Sequence, residues 1–148
     1  MGLFTWPGVN LVGCPEMDDD HRPMLRLLDR LHEAMIRGRG GAVIRAVLEE
    51  LAEHETVHFA REEALMSGCG YPGFAEHYKL HQHMLGELEE LRWRAAAGHL
   101  AIAYDTMQTT RRWVRRHINE DDHRAARHIM VGRSALQPHA TSRESHRD

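Results

Sequence analysis

The sequence predicts an all-α fold, namely an up-down-up-down four-helix bundle with an extended N-terminal arm. Apolar residues recur at steps of three and four along four segments of the 148-residue chain, as they do on the buried face of a helix. Turns that contain glycine or proline separate these segments, and no segment has the alternating pattern of a strand. This length suits one domain with its own core.

The N-terminal segment is predicted to be an arm that packs on the domain. Residues 1–16 combine apolar side chains with proline and glycine, and Trp6 is the expected anchor. Three aspartates follow as candidates to cap the first helix. Because proline is tolerated only in the first turn of a helix, Pro23 favours Asp19 or Asp20 as the cap. The glycines of the GRGG segment are expected to end this helix.

Periodicity predicts three further helices, each ended by a glycine. They run over about 42–67, 74–97 and 99–131. Gly132 is the residue expected to close the last of them. Together with the arm, the helices form one predicted domain over residues 1–131. Residues 132–148 are polar and without periodicity, so a mobile tail is expected there.

Composition excludes several classes of partner and location. With 19 Lys and Arg against 22 Asp and Glu, the net charge of −3 predicts neither nucleic-acid binding nor a polybasic membrane patch. No run of about 18 apolar residues predicts a transmembrane helix, and the N-terminus lacks the regions of a signal peptide. Cys14 and Cys69 are expected to be reduced thiols, which favours a cytoplasmic protein. A monomer is the favoured state.

Seven potential metal ligands are spread over the four predicted helices. They form a single histidine, an H-x-x-x-E, an H-x-x-x-H and an H-x-x-x-x-D pattern, and side chains four apart share one helix face. Burying so many polar groups without partners would cost several kcal/mol, whereas two metal ions would satisfy them. An interior hydrogen-bond network without metal is the alternative. The seven residues are His21, His58, Glu62, His77, His81, His117 and Asp122.

The step from His117 to Asp122 is less regular than the other spacings. In an α-helix, five residues leave two side chains about 140° apart around the axis. We expect the Asp122 carboxylate to reach sideways and bridge two metals, although helical geometry leaves Asp121 open. The other histidines are predicted to lie on the surface. They are His32, His83, His99, His123, His128, His139 and His146.

The donor types restrict the metal and its chemistry. Imidazole and carboxylate suit Fe, Mn, Co or Zn, while the lack of thiolate argues against a zinc cage or an iron–sulfur cluster. Di-iron sites that activate oxygen are commonly rich in carboxylates. Five histidines with two acids give the metals less negative charge, which favours binding O2 over splitting it.

Several segments resemble one known family. They are W-x6-G near the N-terminus, D-x-x-H, HFAREEALM, GYP, H-x-x-x-H and WVRRHINEDD. Over about residues 4–131 the chain is similar to the hemerythrins, specifically the bacterial single-domain kind. All seven potential ligands match that family's residue types in order and spacing.

The resemblance implies a non-haem di-iron cofactor, with two Fe ions bridged by an oxo or hydroxo group and O2 as their ligand. One iron would take His77, His81 and His117, the other His21 and His58, with Glu62 and Asp122 bridging them. O2 would bind end-on at the open position of the second iron. The resemblance thus implies that the iron held by only two histidines keeps one coordination position free.

The resemblance also implies an apolar pocket beside that position, formed by Phe59, Trp113, Val114 and Ile118. Dry walls would retard water entry and loss of superoxide. Val114 stands where relatives often have the larger leucine, which predicts a wider pocket and faster autoxidation. His54 stands where relatives often have tyrosine. It is either a hydrogen-bond partner or a sixth imidazole near the site, or a core histidine satisfied by a carbonyl, and the last interpretation is favoured.

The leading functional prediction is reversible O2 binding for transport, storage or local delivery. The protein is then not an enzyme, beyond a weak oxidase or peroxidase side activity. The main alternative is a di-iron enzyme that reduces peroxide or nitric oxide with an electron donor or reductase. A sensor of O2 or redox state that acts through a separate partner, and a metal-buffering protein, are further alternatives.

Overall fold

A computed structural model describes residues 11–136, except for the side chains of residues 100, 102 and 103. This range is helical and contains no strand, which confirms the all-α prediction. Its elements are α1 (Pro15–Ile36), α2 (Gly41–Gly68), α3 (Phe74–Ala96), α4 (Leu100–Arg116), a π-segment (His117–Asp122) and α5 (His123–Leu136). The predicted anchor Trp6 and most of the predicted tail lie outside the described residues.

The long helices pack side by side as a bundle. Helix α1 contacts α2 and α4, and α3 also contacts α2 and α4, so the four surround one interior. Helices α4 and α5 are joined through the π-segment without a turn, so they act as one long fourth helix. Apolar side chains fill the interior, because packing of amphipathic faces is what stabilises such helices. The core includes Met17, Leu28, Leu31, Leu48, Leu51, Met84, Leu88, Leu91 and Met107.

The first helix starts earlier than predicted. It begins at Pro15, with Cys14 as the N-cap residue, so the expected caps Asp19 and Asp20 lie inside it. Proline suits the first helical position because its missing N–H would be unpaired there in any case. Pro23 is therefore an interior proline, contrary to the prediction that it marks the first turn.

Two polar contacts accompany this start. The carboxylate of Asp18 accepts hydrogen bonds from the backbone N–H groups of Val12 (2.9 Å) and Gly13 (3.2 Å), which fastens the preceding segment to the helix. Nε2 of His54 donates a hydrogen bond to the backbone carbonyl of Asp20 at 2.8 Å. This carbonyl lies in the turn of α1 before Pro23, where a proline disturbs the regular backbone hydrogen bonds. This bond confirms that a carbonyl satisfies His54, although the side chain is 20% exposed and so is not a core residue.

The fourth helix differs from its prediction at its end. It continues through Gly132 to Leu136, because an interior glycine costs only about 1 kcal/mol relative to alanine. Arg133, beyond that glycine, donates to both carboxylate oxygens of Glu16 at 3.0 and 2.8 Å. This ion pair links the last helix to the start of α1.

One of the predicted surface histidines is buried. His32 is only 8% exposed and stacks near Tyr104, with ring centroids 6.1 Å apart, so the surface prediction was wrong there. Burial, with the nearby charge of Arg111, lowers the pKa of His32. Among the others, His83, His99 and His123 are exposed and His128 is half-buried, while His139 and His146 lie outside the described residues.

Within residues 11–136, no helix combines the length and the apolarity that crossing a bilayer requires.

Candidate metal centre

Four elements bring the seven predicted ligands to one place in the bundle interior. Helix α1 supplies one residue, α2 and α3 supply two each, and the π-segment supplies the remaining two. Every one of these side chains is buried, with at most 4% of its surface exposed. The residues are His21, His58, Glu62, His77, His81, His117 and Asp122.

The Glu62 carboxylate lies between two sets of imidazoles. Its Oε1 atom accepts hydrogen bonds from Nε2 of His77 at 2.8 Å and of His81 at 3.0 Å. Its Oε2 atom accepts from Nε2 of His58 at 3.0 Å. The four-residue step from His58 to Glu62 places both on one face of α2, as the sequence predicted.

The two oxygens of the Asp122 carboxylate also face different sets of imidazoles. Its Oδ1 atom lies 2.9 Å from Nε2 of His77 and 3.0 Å from Nε2 of His117, whereas Oδ2 lies 2.9 Å from Nε2 of His21. Each of the two acids therefore directs one oxygen to either side. We name the sides the three-histidine group (His77, His81 and His117) and the two-histidine group (His21 and His58).

The π-segment explains how Asp122 reaches this position. In the α-helix predicted from the sequence, a carboxylate five residues after His117 would have to reach sideways. A π-helix closes its hydrogen bonds from residue i to residue i+5, so residues five apart come onto one face, and such turns are frequent at functional sites. Asp122 is buried at the centre, whereas Asp121 is 21% exposed at its edge.

The donor atoms fit metal ions better than they fit a hydrogen-bond network. Among the described residues, Nε2 of His21, Nε2 of His117 and Oδ1 of Asp122 are buried without a properly aligned hydrogen bond, although opposite atoms lie within about 3 Å. Buried polar atoms without partners are rare in proteins. Ring nitrogens that converge on shared carboxylate oxygens are the arrangement that a pair of cations would satisfy.

The ligand atoms are also close enough to share ions. Those of Glu62 and Asp122 with the three-histidine group all lie within 4.8 Å of one another. Those of Glu62 with the two-histidine group lie within the same distance. Each of these two groups could therefore hold a metal ion, and their imidazole and carboxylate donors suit iron.

Charge reinforces this interpretation. Burial lowers the pKa of His77, but the close carboxylates of Asp122 and Glu62 outweigh burial and raise that pKa to about 9. Burial also lowers the pKa of His117, but the charge of Asp122 and the hydrogen bond to Asp121 raise it to about 10. Burial would raise the pKa of Glu62 and Asp122, yet the imidazoles hold both below their usual range. The acids thus stay charged, and protonated imidazoles balance that charge where no metal ion does.

Three further carboxylates lie behind the imidazoles, and the sequence analysis did not assign them this role. Glu63 is 2.9 Å from Nδ1 of His81, and Asp121 is 3.0 Å from Nδ1 of His117. Glu55 is 3.4 Å from Nδ1 of His58. A carboxylate on one ring nitrogen fixes the tautomer and leaves the other nitrogen for a metal.

Two of these partners had a detectable signal in the sequence. Glu55 precedes His58 by three residues and Asp121 follows His117 by four, which are spacings at which helical side chains meet. The contact between Glu63 and His81 joins two helices, so no local spacing indicates it.

Two of the predicted pocket residues lie against ligand imidazoles, and Phe59 also approaches His58, with ring centroids 5.2 Å apart. Phe59 stacks on His81 with ring centroids 4.0 Å apart, and Trp113 stacks on His117 at 4.7 Å, so both contact the three-histidine group. Val114 and Ile118 are buried in the core. The pocket beside the two-histidine group stays a prediction.

Comparisons with known proteins agree with this geometry. Residues 13–129 match the family model of the hemerythrin HHE cation binding domain. Bacteriohemerythrins of Stenotrophomonas maltophilia and Pseudomonas aeruginosa are 33% and 32% identical over 122 residues, which cover 82% of this chain and 78% of each relative. That of Methylococcus capsulatus is 28% identical over 82% of this chain and 93% of its own length.

Solved structures show the same fold. A wild-type hemerythrin crystal structure superposes with a TM-score of 0.77 and 26% identity, covering 86% of this chain and 98% of that one. A hemerythrin mutant gives a TM-score of 0.78 with 27% identity, covering 87% of this chain and 98% of its own. The family model spans most of the chain and includes all the clustered acids and imidazoles. This chain therefore belongs to the hemerythrin family.

Proposed function

We propose that this protein binds O2 reversibly at a di-iron centre. One observation carries the proposal: the two bridging acids divide the imidazoles unequally, three on one side and two on the other. An ion in the three-histidine group would have five protein donors, and its neighbour only four. The second ion is therefore the one left with room for a small ligand.

The chain's own residues would hold and isolate this pair. Glu62 and Asp122 would span both ions, and the five imidazoles would complete their protein ligands. When bound, a ferrous pair would supply the two electrons that reversible capture of O2 requires. Val114 and Ile118, which are 2% and 1% exposed, would exclude water from this side of the interior.

Transport, storage and local delivery of O2 share this chemistry. An enzyme that reduces peroxide or nitric oxide would need the same centre together with an electron donor. The histidine-rich donor set supports the carrier, because the two buried carboxylates provide little charge to stabilise highly oxidised iron. A sensor acting through a separate partner is compatible with the same centre.

The proposal includes a cytoplasmic location. Cys14 is a buried free thiol and Cys69 a half-buried one, and free thiols are typical of reducing compartments. Burial, followed by smaller contributions from Glu16, raises the pKa of Cys14, so this thiol is poorly reactive.

Optical spectroscopy on the iron-loaded protein tests the proposal. The protein is reduced without air, exposed to air and then flushed with argon, while iron per chain is measured separately. A carrier holds two iron ions and develops a charge-transfer band in air that disappears under argon. Steady consumption of peroxide or nitric oxide with an electron donor would favour the enzyme. A protein that takes up metal without any response to air would favour metal buffering.

A further inference from the structure

Glu55 is an acid buried without a fixed positive charge. Its side chain has no exposed surface, and its Oε2 atom has no hydrogen-bond partner among the described residues. Its ion-pair contacts within residues 11–136 are with histidines only, at 3.4 Å to Nδ1 of His58 and 4.0 Å to Nε2 of His54. Nε2 of His54 already donates to a backbone carbonyl.

A carboxylate in this position is unfavourable unless a cation lies close to it. Moving an ionised acid out of water costs several kcal/mol, so the charge of Glu55 needs a positive partner on His58, the nearest imidazole. Burial lowers the pKa of His58, but the charges and hydrogen bonds of Glu55 and Glu62 raise it well above its ordinary value, so a protonated ring is that partner in the metal-free protein. Glu63 and Asp121, the other two acids behind the imidazoles, are each 21% exposed, so water supports their charges. Glu55 lacks that support and depends on the charge of His58, and a metal ion on the opposite nitrogen of His58 would take the place of the proton there.

The two ring nitrogens of His58 have different partners. Nε2 points to the bridging oxygen of Glu62 at 3.0 Å, on the side of the two-histidine group. Nδ1 faces Glu55. The other imidazole of this group, His21, has no hydrogen bond at Nδ1 among the described residues. Any support from a carboxylate behind this group therefore comes through His58.

We propose that Glu55 is the positioning residue for the ion held by the two-histidine group. Its carboxylate accepts a hydrogen bond from the Nδ1–H group of His58, which fixes the tautomer of the ring. The lone pair of Nε2 then faces the ion. Its buried charge makes that imidazole a stronger donor. This inference rests on the proposed two-ion centre and deepens it, because it assigns a residue to the side on which O2 would bind.

The consequence is selective. Loss of a partner behind a ligating histidine typically lowers metal affinity 10–100-fold. Removal of Glu55 should weaken one of the two ions and leave the other almost unchanged. Removal of Glu63, which supports His81 in the three-histidine group, should have the opposite selectivity.

Titration of the metal-free protein with Co²⁺ measures both affinities. Cobalt accepts the same donors as iron, and its visible absorption follows binding without any oxygen chemistry. The variants are Glu55→Gln, Glu55→Ala and, as the matched control, Glu63→Gln. His21→Ala removes one ligand of the two-histidine group, so it identifies which binding step belongs to that group.

We expect Glu55→Ala to weaken that step by about 10–100-fold while the other step changes little. Glu55→Gln keeps an acceptor for Nδ1 but loses the charge, so its effect should be intermediate. Circular dichroism of the metal-free variants checks folding. If Glu55→Ala does not fold, the nearly isosteric Glu55→Gln decides the question.

Two results would contradict the inference in different ways. Two cobalt ions on the wild-type protein, with both steps weakened equally or neither weakened in Glu55→Gln, would overturn the role of Glu55 alone. Fewer than two ions on the wild-type protein would overturn the two-ion centre itself, and the role of Glu55 with it.

Discussion

His117 and Asp122 are five residues apart in the chain, yet Nε2 of the histidine lies 3.0 Å from Oδ1 of the aspartate. A π-turn between them accounts for this contact, while Asp121, four residues after His117, meets the outer nitrogen of the same imidazole. Two adjacent aspartates therefore contact opposite nitrogens of one imidazole, Asp122 inside the centre and Asp121 at its edge.

The first prediction compares these two acids. The two oxygens of Asp122 face different histidine groups, and Asp122→Asn removes one of them together with the negative charge. Iron content should therefore fall below two ions per chain. Asp121→Asn keeps an acceptor for Nδ1 of His117, so it should retain both ions at saturating iron, with affinity lowered at most about 10–100-fold. Metal analysis after gel filtration measures both. Equal iron in the two variants would contradict this division.

The second prediction concerns metal removal. A ligand that binds only the folded state at 100 times its Kd adds about 2.7 kcal/mol of stability. For a domain of this size, one such ion should raise Tm by roughly 5–10 °C. Thermal melts followed by circular dichroism, with ferrous iron or with a chelator, measure the shift. Mg²⁺ is the control, because it prefers oxygen ligands and should leave Tm unchanged.

The third prediction concerns the pH dependence of the metal-free protein. Folding raises the pKa of His77 to about 9 and of His117 to about 10, above the value of about 6.5 expected in an unfolded chain. The folded state then binds more protons between these values, so the free energy of unfolding should fall as pH rises from about 6.5 to about 10.

Urea unfolding at several pH values measures this loss of stability. The metal-loaded protein is the control, because metal ions replace the protons on those imidazoles and should remove the decline over the same range. A metal-free protein that becomes more stable towards pH 10 would show that His77 and His117 are not protonated in the folded state.

The fourth prediction tests the pocket and rests on the proposed function. Val114 is 2% exposed, so Val114→Leu should add volume inside the core, narrow the pocket and slow autoxidation several-fold. Decay of the oxygenated spectrum gives the rate. Val131→Leu is the matched control, since Val131 is 69% exposed and should leave the rate unchanged. An equally fast decay in both variants would rule out a role for residue 114.

The sequence was sufficient to predict the bundle and the side chains that meet inside it. Glu62 and His81 follow their partner histidines by four residues, so helical periodicity alone puts each pair on one face. The sequence favoured Asp122 as a metal ligand but did not predict the π-turn that brings it to the site, because a π-turn depends on how the whole helix packs. The link from Glu63 to His81 crosses between helices, and no local pattern reveals it.

Errors arose where tertiary contacts outweigh local rules. Pro23 was expected in a first turn, but the helix already starts at Pro15 and continues through Pro23. Gly132 was expected to end the last helix, but the contact of Arg133 with Glu16 accompanies its extension. His32 is buried beside Tyr104, although its residue type is more often exposed.

The indole of Trp113 lies almost parallel to the His117 ring, at 9° and 4.7 Å between centroids. An emitting side chain in contact with a potential iron ligand acts as a built-in optical probe. Its fluorescence should be quenched when iron occupies the neighbouring nitrogen. Trp93 is 62% exposed and about 18 Å along α3 from His81, so it supplies a steady background signal. Occupancy of the centre should therefore be readable in real time, without any added dye.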